Sequence, residues 1–141
     1  MKNRRAVLLS FAACGLSFNT AQAAEPLAFS EFYVTGTEPT KKLSSLNGKD
    51  VTISGYMAPP LKAESDFFVL TRTPLAVCPF CDSEMDWPSD IVLAKCDGLV
   101  DVTPFNRRII VDGKLAIGFE KDSATGFVSF VRLMYAQYRK A

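Results

Sequence analysis

The sequence predicts a mainly β protein, a small barrel of five or six short strands interrupted by one cysteine-containing loop. Three observations lead there. Val51, Ile53 and Gly55 alternate with Thr52, Ser54 and Tyr56, the period of a half-buried strand. Further short apolar runs follow at 67–70, 91–94, 109–117 and 127–133, separated by turn residues, and the chain offers one helical turn at most. Gly55 lies inside its strand, where a barrel wall must bend or bulge. The chain has 141 residues, a length that suits one domain.

The first 23 residues read as an address. Residues 1–5 are basic, 6–18 are apolar, and Ala21-Gln22-Ala23 has the small-x-small form of a cleavage site. This is the pattern of a secretory signal peptide, so 24–141 is expected to be the mature single domain, in a bacterial periplasm. A rival reading is a lipoprotein box, Phe11-Ala12-Ala13-Cys14, with Cys14 lipidated. Phe11 stands where Leu is usual and the apolar run continues past Cys14, which favours soluble export. Disulfides are permitted in that compartment.

Charge and composition exclude several classes. The full chain carries a formal charge of +1. Removing 1–23 takes Lys2, Arg4 and Arg5 from the 16 Lys+Arg and nothing from the 15 Asp+Glu, leaving 13 against 15, a net charge of −2. Such a domain has no electrostatic footprint for nucleic acid. Histidine is absent, which removes the usual general base, the Ser/His/Asp triad and His-ligated metals. Any catalysis would fall to Cys, carboxylates, Lys or Tyr, and the expectation is a protein that is not an enzyme. No small-molecule substrate is evident.

Taken in order, 24–40 is a lead-in whose Phe29, Phe32 and Val34 form a short strand or pack on the barrel. Residues 43–49 predict a helical turn closed by Asn47-Gly48. Residues 50–57 are the first main strand, ended by Pro59-Pro60. Residues 66–72 are the second, buried on both faces, and Thr73-Pro74 breaks it. Residues 90–95 are the third, with a short extension over 99–103. In 107–119, Asp112-Gly113 between apolar runs signals a hairpin; one long bent strand with a bulge there is the alternative. Residues 125–135 form the last strand, and 135–141 turn polar and fray. Strands in this order, opening with Leu46-Asn47-Gly48-Lys49-Asp50-Val51-Thr52-Ile53-Ser54-Gly55, resemble an OB-fold. That resemblance implies architecture and no function.

The stretch between the second and third strands carries the chemistry: Val77-Cys78-Pro79-Phe80-Cys81-Asp82-Ser83-Glu84-Met85-Asp86-Trp87-Pro88. Cys78 and Cys81 are spaced i, i+3, which lets both sulfurs face one point, as tetrahedral thiolate ligation requires. Cys96 follows after fourteen intervening residues and is the third candidate ligand, with Asp82 as a carboxylate fourth. Three thiolates with an open position favour a labile soft metal, Zn²⁺ or Cu⁺. The second reading is thiol–disulfide exchange, with Cys78 as the attacking thiolate and Cys81 as the resolving thiol. Pro88 limits any helix after Cys81 to under two turns, which argues against a thioredoxin fold. The third reading is a disulfide staple plus one free cysteine; a bridge to Cys96 would close a longer loop than Cys78–Cys81 and stabilise more. Asp82, Glu84 and Asp86 read first as a solvated acidic loop. Trp87 reads as a core anchor or as a partner-docking residue.

The run from Ala58 through "PPLKAESDFFVLTRTPLAVCPFCDSEMDWPSDIVL" resembles the DUF3299 group of small exported bacterial proteins. The features are Gly55-Tyr56-Met57-Ala58-Pro59, Phe68-Val69-Leu70, the cysteine loop and Gly113-Lys114-Leu115, and the resemblance covers 46–133. It implies an OB-like fold and work beside an ABC-type membrane transport complex, in metal handling. The leading expectation is therefore a periplasmic metal-binding or metal-delivery accessory, with the redox protein and the stapled scaffold as alternatives.

Overall fold

The computed structural model describes residues 23–60, 62–76 and 90–141. The predicted signal peptide with Cys14 and the segment carrying Cys78, Cys81, Asp82 and Trp87 lie outside the described residues.

The lead-in builds β1 (Glu25–Pro26), a 3₁₀ turn (Phe29–Glu31) and a small hairpin of β2 (Tyr33–Thr35) and β3 (Glu38–Pro39), turned at Gly36 with φ +54°. A short helix, α1 (Lys41–Ser45), follows. It starts two residues before the predicted turn because Thr40 supplies an N-cap: its Oγ1 accepts the Leu43 N–H at 3.0 Å, satisfying a main-chain donor that the helix leaves open. Gly48 ends the turn with φ +79°, the left-handed conformation that glycine adopts without strain. Five longer strands complete the chain: β4 (Asp50–Met57), β5 (Phe67–Thr71), β6 (Val92–Lys95), β7 (Arg108–Lys121) and β8 (Val128–Lys140).

Six strands make one sheet in the order β1-β4-β5-β6-β8-β7, and β4 also pairs with β7. The β4–β7 ladder is antiparallel and runs from Asp50↔Lys114 to Tyr56↔Arg108. The pairings therefore return on themselves: β4, β5, β6, β8 and β7 each have a partner on both sides. β6 and β8 pair parallel, and β1 lies parallel on the other edge of β4. The inward positions of the five strands fill the core. Val51, Ile53 and Met57 come from β4, Phe68 and Leu70 from β5, Val92 and Ala94 from β6, and Ile109, Val111, Leu115, Val131 and Leu133 from the last two strands. Phe29, Phe32, Leu43 and Leu46, from the lead-in and α1 region, join the same cluster. Each such side chain stabilises the fold by about 1.5–3 kcal/mol relative to exposure. β5 is buried on both faces, as its sequence predicts: Phe68 and Leu70 enter the main core, while Phe67 and Val69 pack with Leu93, Ala58 and Phe127.

One choice is decided and two expectations change. At Asp112-Gly113 the long strand with a bulge holds and the hairpin does not: β7 runs through, with a register shift between Asp112 and Lys114. The glycine answers to a close approach: a Cβ there would meet Leu133 Cβ at 3.0 Å and the Met134 carbonyl at 3.1 Å. Residues 99–103 form no strand; Val100 N–H donates to the Ser65 carbonyl at 2.9 Å. Residues 135–140 do not fray, because Gln137–Lys140 find partners in Asp112–Ile109 of β7.

Candidate functional site

Cys96 is the one predicted site residue among those described, and the strand ladder positions it. Its N–H donates to the Asp66 carbonyl at 2.8 Å, one step beyond the Phe67↔Lys95 pair of β5 and β6. Its half-buried side chain packs on the main core. Burial pushes the thiol pKa up, and the carboxylates of Asp66 and Asp97 push it further the same way. The thiol therefore stays protonated at neutral pH. Across from it, the Tyr138 hydroxyl accepts the Asp101 N–H at 2.7 Å and donates to the Asp101 carbonyl at 3.1 Å. The Tyr138 ring meets Phe68 edge-on at 5.2 Å between centroids. Lys95 holds Asp66 at 2.8 Å.

The segment 77–89 springs from the other end of the β5–β6 ladder, where Leu70 pairs with Val92. Arg72 Nη1 and Asp90 Oδ2 approach to 3.8 Å across its two stems. The Thr71 hydroxyl donates to the Thr73 carbonyl at 2.8 Å, fixing the exit from β5. The stems and Cys96 are thus separated by the length of β6, four residues at about 3.3 Å each. Among the described residues no group of three or more Cys, Asp or Glu side chains could by itself hold a metal ion.

A sizeable concavity lies elsewhere, on the outer face of β4 and β7 beneath the lead-in. It has a volume of about 610 Å³, within the range of ligand pockets. Thr52, Ser54 and Ile110 form its floor, and Lys42, Arg72 and Arg108 stand around it. The sequence gives these residues no motif: Lys42, Arg72 and Arg108 stand far apart in the chain. Only the closure of β7 onto β4 and the folding back of the lead-in bring them to one place.

No family model and no curated protein matches the sequence. Among solved structures, the chain is similar to a DUF3299 family protein from Pseudomonas aeruginosa PAO1, at 14% identity and a TM-score of 0.56, covering 84% of this chain and 97% of that one. At that identity the likeness is one of fold: the chain is DUF3299-like, with a mainly β architecture.

Proposed function

We propose that the protein is an exported metal-binding or metal-delivery accessory, built on an OB-like barrel, with Cys78, Cys81 and Cys96 as thiolate ligands and Asp82 as a carboxylate donor. The ring order β4-β5-β6-β8-β7-β4, with one parallel pair, supports the OB-like reading. The observation that carries the metal reading is the setting of Cys96. A nucleophilic thiol needs its pKa lowered by positive surroundings, whereas Cys96 has apolar packing and two carboxylates beside it. A bound cation would offset those carboxylates and take the thiol as thiolate. Zn²⁺ or Cu⁺ suits such a sulfur-rich donor set. Trp87 then serves as the docking residue for a membrane transport complex.

The test is a competition titration of the reduced mature chain with a chromophoric chelator for Zn²⁺ and for Cu⁺. The expected result is one equivalent retained, and lost in Cys78→Ser, Cys81→Ser and Cys96→Ser alike. A chain that takes neither ion from the chelator sinks the proposal. Trapping of a mixed disulfide by Cys81→Ser would move the function to thiol exchange, with Cys78 as nucleophile.

A further inference from the structure

We infer that the groove beneath the lead-in is a binding site for a small oxyanion-bearing molecule, one with a carboxylate or phosphate group on a compact body. Three features of this surface converge on that ligand.

The first is charge. Lys42, Arg72 and Arg108 face the groove against a single lining carboxylate, Glu31. Glu31 is occupied by Lys42 at 2.8 Å and by the Ala28 N–H at 2.9 Å. The excess of two positive charges therefore comes from the two arginines. Among the described residues the only carboxylate paired with Arg72 is Asp90, at a loose 3.8 Å. Arg108 stacks over the Tyr56 ring at 5.7 Å and has no ion-pair partner among the described residues. Stacking holds a guanidinium plane in place while leaving its edge N–H groups to a ligand. Asp112, the other acid on this face of β7, is taken up by the Thr52 hydroxyl and Arg139.

The second feature is main chain. Along this edge of β4 the partner changes. β1 pairs as far as Thr52, with the Leu27 N–H on the Thr52 carbonyl at 2.9 Å, and β5 pairs from Tyr56 onward. Ser54 lies at the change-over, belongs to neither of these ladders, and forms part of the groove floor. Its strand, β4, lies between β7, which begins at Arg108, and β5, which ends one residue before Arg72. The third feature is shape. A volume of about 610 Å³ with Ile110 and Phe29 among its lining residues fits a small molecule whose body packs on carbon and whose charged end meets the arginines.

The experiment is a set of ¹H–¹⁵N NMR titrations of the mature chain with inorganic phosphate, with succinate and with the neutral succinamide, at constant ionic strength. The expected result is saturable shifts centred on Ser54, Thr52 and Arg108 for one or both anions and none for succinamide. Whichever anion saturates the site names the ligand's charged group. Arg72→Gln and Arg108→Gln, both on exposed side chains, should each weaken binding at least about tenfold, the loss of one charge-assisted hydrogen bond. Lys121→Gln, outside the groove, should leave it unchanged. Shifts scattered over the surface lysines, equal response to succinamide, or full binding in the double arginine variant would each overturn the site.

Discussion

Gly55 shows how a single residue sets the geometry on which both candidate surfaces depend. A Cβ at that position would sit 2.6 Å from the Thr71 carbonyl, 3.0 Å from Phe29 Cε2 and 3.1 Å from Leu70 Cδ1. The nearest of these is main chain and cannot swing aside, so β5 and the lead-in would have to back away from β4. Gly55→Ala should therefore cost about 1–3 kcal/mol, as overpacking of a filled core does. Gly98→Ala, where nothing lies within 4 Å, should be neutral or slightly stabilising through the unfolded chain. Urea midpoints of the two variants against the parent decide it; equal midpoints would mean that the close approach carries no energetic weight. The sequence marks the glycine as special but assigns it a bend or bulge; the β4–β7 register runs through Gly55 without a shift, and what requires the glycine is a close approach. What approaches it was not legible, because Thr71 and Phe29 reach it only through the fold.

Among the elements, β7 and β8 carry the longest ladder, and their irregularities explain where the sequence reading stopped. Asp-Gly between apolar runs is the same signal whether the chain turns back or bulges. The choice falls to β8, whose Leu133 and Met134 crowd the glycine from the neighbouring strand. The polar run at 135–140 looked like a fraying end for a similar reason. Its alternation is real, but only pairing with Ile109–Asp112 gives it a partner. The second irregularity, between Ile117 and Glu120, is held by Arg132. That guanidinium donates to the Gly118 carbonyl at 2.6 Å and lies 3.3 Å from both the Ser129 carbonyl and Glu120 Oε2. Arg132 is only 9% exposed, and its part-buried charge-assisted bond to the Gly118 carbonyl lies where the ladder shifts register; no motif announces it. Arg132→Leu should lose about 1–3 kcal/mol, the cost of leaving the part-buried Gly118 carbonyl and the buried Ser129 carbonyl without their donor. Amide exchange should quicken selectively over 117–121. Uniform quickening across β4 and β5 as well would mean that Arg132 supports the whole ring and not the bulge.

At the scale of the molecule, folding partly buries three groups that lose a proton at alkaline pH, on three different segments. Tyr33 in β2 has its pKa raised by burial and then by Asp90. Cys96 after β6 is raised by burial and then by Asp66 and Asp97. Tyr138 in β8 is raised chiefly by burial, its hydrogen bond to Asp101 working the other way. In the unfolded chain these groups ionise at their ordinary values, 9.0 for the thiol and 10.0 for the phenols. The folded state keeps its protons to higher pH. Between the two values the unfolded chain binds fewer protons, so each step up in pH favours unfolding. The stabilisation is full near neutrality, where both states are protonated, and falls first through Cys96 and then through the tyrosines. Glu31 and Asp122 act in the opposite sense at acid pH. Their carboxyls are held low, by Lys42 and Thr125 respectively, so their contribution is present at neutral pH and fades as they protonate. Both sit at the surface, where solvent screens the effect, so the alkaline limb should be the steeper. Denaturant midpoints of the metal-free, reduced chain should be level near neutrality and drop clearly by about pH 10.5, above the ordinary thiol and phenol values. Cys96→Ser should flatten the early part of that fall and Tyr138→Phe the later part, since neither replacement ionises in the range. A parent midpoint that holds to that pH, or variants that follow the parent curve without change, would show that the ring does not shield these groups from water. The same fall should shrink when Zn²⁺ is added if Cys96 is a ligand, because a metal-bound thiolate has already given up its proton and no longer titrates there.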